Sequence, residues 1–183
     1  MKKMVILPLI AAAALIGCGQ KDDQKPQFQP PVGQGGPIQG GPVQGFDKVK
    51  MLQELIAKDP KNLNALIELG NTLMDSQRFA EAADVYLKAL EIDPKNADVR
   101  VDMGTCYKYS GKPDLALKEY KKALEHNPKH VNAHKNMGVV YANDMRDYKQ
   151  ALKEFELALS LAPNAPDAPA LKAEIEKLKG MAK

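Results

Sequence analysis

The chain of 183 residues has no tryptophan, only 5% aromatic residues and two cysteines. Cys18 and Cys106 stand 88 positions apart, too few and too distant for a disulfide-rich scaffold or a four-thiolate zinc site. Charge of one sign is scarce too. The 26 Lys and Arg face 23 Asp and Glu, a formal +3 without the clustered basic face that phosphate backbones demand, so no nucleic acid is expected as partner. The most apolar run, Met4 to Ile16, is 13 residues. That falls short of the roughly 18 to 20 needed to span a bilayer as a helix, and Pro8 interrupts it. What remains, 44% hydrophobic and 27% charged, suits one soluble domain.

The N-terminus has the outline of a secretory signal: Lys2 and Lys3, the apolar run, and small Gly17 before Cys18. Leu15-Ile16-Gly17-Cys18 resembles the lipobox of bacterial lipoproteins. The resemblance implies removal of residues 1–17, acylation of Cys18, and a mature net charge of +1 once Lys2 and Lys3 leave. Several acyl chains, at roughly 0.8 kcal/mol per buried methylene, exceed what stable anchoring requires. A membrane partner through the lipid is expected. Gly19 rather than Asp follows the cysteine, which in enterobacterial lipoproteins leans toward the outer membrane, facing the periplasm.

From Gly19 to Gly45 the chain carries seven Gly, seven Gln and five Pro in 27 residues, without periodicity. Residues 18–45 therefore read as a lipidated cysteine and an unfolded tether, unable to bury enough apolar surface to fold. Its Asp22-Asp23 pair is solubilising, because nothing pre-organises it for acid–base work.

Beyond residue 45 the spacing becomes regular. Pro60, Pro94 and Pro128 are 34 apart, with Pro163 after 35; Gly70, Gly104 and Gly138 are 34 apart. Ala82/Ala116/Ala151, Leu69/Met103/Met137, Tyr86/Tyr120/Phe155 and Ala89/Ala123/Ala158 keep the same phase. Each period contains two apolar patterns with helical spacing, such as Leu66, Leu69, Leu73 and then Ala82, Ala83, Tyr86, Ala89, Leu90. The small residues let two helix axes approach while the aromatic fills the space beside them, and each proline closes a second helix.

These motifs resemble tetratricopeptide repeats at residues 63–96, 97–130 and 131–165, the third with one extra residue in the turn from Asn143 to Asp147. An all-α, α-α superhelix of about three repeats is implied, in a right-handed sense. Residues 46–60 are read as an N-terminal capping helix and 167–181 as its C-terminal counterpart. The sequence departs from the family where its first aromatic should be, with Leu66, Arg100 and His134, so looser packing is expected at the start of each first helix.

No catalytic constellation or cofactor motif is present. Gly111-Lys112 is no phosphate loop, since Cys106 replaces the required glycine and Pro113 the magnesium-binding hydroxyl. His126, His130 and His134 are four apart, but Pro128 breaks the helix that would align them for a metal. Cys106 replaces a small family residue and is expected to be a buried, inert thiol. No metal site and no enzyme activity are expected.

The resemblance implies a concave groove lined by the first helices. Carried over position by position, it comprises Asn64, Ile67, Asn71, Met74 and Asp75; then Asp98, Val101, Thr105, Lys108 and Tyr109; then Asn132, Lys135, Val139, Ala142 and Asn143. Apolar anchors mixed with amides suit a peptide or protein segment. The family's carboxylate clamp is incomplete: Asn71 matches, but Ile67 replaces a Lys and Asp102 an Asn, which disfavours C-terminal chaperone tails. The expected function is a monomeric, membrane-anchored scaffold or assembly factor of the bacterial envelope, as in pilus, outer-membrane or cytochrome maturation assembly. A redox or metal factor using Cys106 and the histidines, or a passive self-associating lipoprotein, are the alternatives.

Overall fold

The protein is described by a computed structural model covering residues 42–182, with side chains from Asp47 onward. Eight α-helices and no strands occur among the described residues: α1 (Pro42–Lys58), α2 (Leu63–Asp75), α3 (Phe79–Ile92), α4 (Ala97–Tyr109), α5 (Pro113–His126), α6 (Val131–Val140), α7 (Tyr148–Leu161) and α8 (Ala168–Met181). The signal, Cys18 and the tether up to residue 41 lie outside the described residues. The N-terminal helix begins at Pro42, four residues inside the stretch read as tether. Proline suits a first helical turn, where its missing N–H costs nothing.

Helices α2–α3, α4–α5 and α6–α7 are the three antiparallel pairs, and consecutive pairs stack into a superhelix, with α1 and α8 at the ends. Three consecutive apolar clusters run the length of the stack. Within each pair a glycine meets an aromatic ring. A Cβ on Gly104 would come within 2.6 Å of the Tyr120 ring and one on Gly138 within 2.5 Å of Phe155, and Gly70 meets Tyr86 in the same way. All three rings are fully buried, a gain of roughly 1.5–3 kcal/mol for each large apolar side chain.

The connectors repeat as faithfully as the core. Asn62, Asn96 and His130 cap α2, α4 and α6 by accepting from the N–H three residues on, at 3.0, 3.1 and 3.2 Å. Asp59, Asp93 and Asn127 turn the chain before each cap by accepting from the N–H two residues on. Between the helices of each pair one residue is left-handed: Gln77 (φ 59), Gly111 (φ 72) and Arg146 (φ 55).

The extra residue of the third repeat lies in a segment that overlaps the Asn143–Asp147 turn. It widens the end of the first helix into a π turn over Tyr141–Met145. The closing backbone bond shows how: Arg78 N–H reaches Leu73 and Lys112 N–H reaches Tyr107, five residues back, whereas Asp147 N–H reaches Tyr141, six back.

The expected looseness at Leu66, Arg100 and His134 does not occur. Leu66 is buried, Arg100 Nη1 donates to Glu119 Oε2 at 3.0 Å, and His134 Nδ1 meets Glu154 Oε2 at 2.7 Å. Glu119 and Glu154 hold one position of the second helix, which the apolar Val85 fills in the first repeat. Each departure is thus matched across its own helix pair.

Candidate functional site

The first helices α2, α4 and α6 carry the predicted groove residues, and the structure sorts these into three groups. Asn64, Asn71, Asp75, Asp98, Tyr109 and Asn132 are exposed or nearly so at the helix surface, while Ile67, Met74, Thr105, Lys108 and Asn143 are half-buried. Val101, Lys135, Val139 and Ala142 are buried, a correction to their expected availability. Val101 is covered in the cluster joining α4, α5 and α6, and Val139 and Ala142 in the cluster beneath α7 and α8. Lys135 Nζ is held by Asp167 at 2.8 Å, at the start of α8. The C-terminal helix covers what would otherwise be the last stretch of surface.

Polar contacts connect the second helices to the groove. Tyr86 donates its hydroxyl to Asn71 Oδ1 at 2.6 Å. One repeat later Thr105 gives its proton to the Val101 carbonyl at 2.9 Å, leaving its oxygen to accept from Tyr120 at 3.2 Å and from Asn136 Nδ2 at 3.2 Å. The third repeat has Phe155 and Val139 at the equivalent places, so the missing hydroxyl is accompanied by a missing acceptor. Burial pushes the Tyr86 and Tyr120 phenols well above their ordinary range. They serve as neutral donors.

At the end of α4, Tyr109 is 46% exposed and stacks on Phe79 with centroids 5.0 Å apart. Lys108 Nζ lies 4.4 Å over the Tyr109 ring, and burial lowers its basicity while Asp144 opposes that shift. The opposite rim is formed around Asp98, whose side chain is 89% exposed and accepts from His130 Nε2 at 2.9 Å. Because His130 Nδ1 is accepting from Ala133, its Nε2 must carry the proton.

Asp102 stands one helical turn after Asp98 on α4 and acts electrostatically on the buried Tyr86 and Tyr120, and the sequence does not single it out as a groove residue. Burial, with Asp98 adding like charge, pushes its carboxyl up to about 6. Its only sequence signal is an acid at the clamp position where an amide is usual.

Neither the metal nor the thiol chemistry of the alternative reading is favoured. His130 and His134 engage both ring nitrogens with protein groups, His134 Nε2 facing the Pro128 carbonyl at 3.1 Å. Among the described residues no group of three His, Cys, Asp or Glu could hold a metal. Cys106 is fully buried and its thiol is pushed up to about 12, first by burial and then by Asp102. A thiol so protonated is a poor nucleophile.

No curated protein sequence matches the chain significantly. Among solved structures, a crystal structure of MamA aligns at 21% identity over 76% of this chain and 83% of that one, with a TM-score of 0.66. MamA MSR-1 C2 aligns at 26% identity over 67% and 70%, with a TM-score of 0.60. The Arabidopsis OM64 TPR domain aligns at 22% identity over 63% and 94%, with a TM-score of 0.58. Two profiles of the tetratricopeptide repeat family match residues 61–129 and 101–169. From residue 61 to 169, then, this chain consists of tetratricopeptide repeats.

Proposed function

We propose that the protein is a lipid-anchored scaffold of the bacterial envelope that holds a segment of another protein in its concave groove. The observation that carries this reading is the side-chain arrangement along α2, α4 and α6. Accessible Asn64, Asn71, Asp75, Asp98 and Asn132 alternate with half-buried Ile67 and Met74, beside the Tyr109 ring. Amides and carboxylates can bond the backbone of an extended segment while the half-buried apolar groups accept its alternate side chains. Tetratricopeptide scaffolds are typically non-enzymatic binders of protein partners, which agrees with the groove's chemistry. The anchor at Cys18, the tether and the outer-membrane location complete the reading from the sequence, with assembly of a larger envelope structure as the role.

The test is positional. Photo-crosslinking residues are placed singly at Asn64, Asp75 and Asn132, and for comparison at the exposed second-helix positions Glu91 and Lys118, in the full chain in its native host. The first set is expected to trap one discrete partner that the second does not. Equal trapping from both sets would overturn the groove assignment.

A further inference from the structure

The groove reading, on which this inference rests, leaves the partner's chemistry open. The residues at one repeat position, Glu68, Asp102 and Asn136, differ in what serves them. Glu68 pairs with Lys48 at 3.0 Å, and Asn136 donates to Thr105 at 3.2 Å. Asp102 has neither a hydrogen bond nor an ion pair among the described residues, although it is half-buried. Its oxygens keep some contact with water, since among the described residues no fully buried side-chain oxygen or nitrogen lacks a partner. A carboxylate half withdrawn in this way is still disfavoured, and a bound cation offsets that cost.

The surroundings do not supply this cation. Asp98 adds negative charge to Asp102, and Asp75 and Asp102 both act on the Tyr86 phenol. Lys135 is committed to Asp167, and Lys108 lies on the Tyr109 ring with Asp144 opposing its loss of charge. His130 donates to Asp98, not to Asp102. The stretch between the first and second repeats is therefore negative, flanked by amides and by the half-buried Ile67 and Met74.

We infer that the groove takes an extended partner segment carrying a lysine or arginine whose cationic head seats on Asp102, between the first and second repeats. Complementarity of charge sets the choice of partner, and the neighbouring Asn71 and Asp98 receive its remaining donors. Opposite charge at a half-buried site gives selectivity as well as affinity, because an acidic segment meets uncompensated repulsion.

The experiment uses the full chain and three fluorescent ten-residue peptides on one Ala/Gln background, bearing three Lys, three Glu or no charge. The Lys peptide is expected to bind at least tenfold more tightly than the uncharged one, and the Glu peptide not at all. Asp102→Asn should remove about tenfold of the Lys-peptide affinity, Asp102→Glu should restore part of it, and Asp114→Asn on α5 should leave it unchanged. Retained affinity in Asp102→Asn, indifference to peptide charge, or no Lys-peptide binding at millimolar concentration would overturn the inference. So would a rise in affinity on Lys21→Gln with Lys25→Gln, which would make the chain's own N-terminal segment the occupant. If the concave crosslinks persist while charge selectivity is absent, the groove stands and only this assignment fails. Loss of the crosslinks removes both.

Discussion

Arg100 and Glu119 form a 3.0 Å ion pair at the two positions that Leu66 and Val85 fill with apolar side chains one repeat earlier. Both are largely withdrawn from solvent, at 15% and 8% side-chain exposure, and Glu119 also accepts from Lys122 at 2.7 Å. Breaking such a pair strands a buried charge, whereas replacing both members by matched apolar groups removes the desolvation cost on each side. Glu119→Ala is expected to cost about 2–3 kcal/mol in urea unfolding, and Arg100→Leu with Glu119→Val to restore most of it. A double variant as unstable as the single one would show that the pair is not exchangeable with its apolar counterpart.

His130 takes the place of an asparagine. It caps α6 through Nδ1 as Asn62 and Asn96 cap α2 and α4 through their amide oxygens. His130→Asn should therefore leave stability within about 0.5 kcal/mol, while His130→Ala should lose about 1 kcal/mol with the cap. Equal losses in both variants would mean that the contact with Asp98, and not the cap, is what His130 contributes.

At the turn inside each pair, only Gly111 suits its left-handed backbone; Gln77 and Arg146 adopt the same conformation with a Cβ. Gln77→Gly and Arg146→Gly should each stabilise by about 0.5 kcal/mol, the relief of strain exceeding the extra freedom glycine gives the unfolded chain. Lying in different repeats, the two gains should add. Differential scanning calorimetry of the single and double variants checks this, and a fall in the thermal midpoint would refute it.

The solenoid is legible in the sequence because its determinants are local and periodic. Gly70, Gly104 and Gly138 with their aromatic partners, and the proline at each boundary, carry both helix pairing and repeat length. The groove is harder to read, because the exposure of a helix face depends on which neighbouring element packs over it. Lys135 and Val139 keep groove register, yet α8 covers their neighbourhood. The pairing of Arg100 with Glu119 and His134 with Glu154 leaves a trace: opposite or titratable groups on the buried faces of both helices, 19 and 20 residues apart, differing by the inserted residue. Asp102 gives the least warning. An acid on a solvated helix and an acid on a groove floor look identical in sequence, and only the surrounding Tyr86, Cys106 and Asp98 distinguish them.

That setting makes Asp102 a measurable liability. Its carboxyl is raised from 3.8 to about 6 in the fold, so between these values the native state binds the proton that the unfolded chain has released. Stability therefore falls as pH rises through this window, and above it the deficit is full, roughly 3 kcal/mol at 1.36 kcal/mol per pH unit. Asp102→Asn, which cannot ionise, should be more stable than the parent at pH 7.5, by up to roughly 3 kcal/mol, and close to it at pH 4. Urea unfolding across that range checks the difference and its pH dependence together. An asparagine variant no more stable at pH 7.5 would show that the carboxylate already has a partner in the folded chain, and with it the reason to look for a cationic one outside would disappear. If the variant is instead more stable and binds the Lys peptide less well, one charge accounts for both the lost stability and the gained affinity, because binding compensates the same desolvation that folding leaves uncompensated.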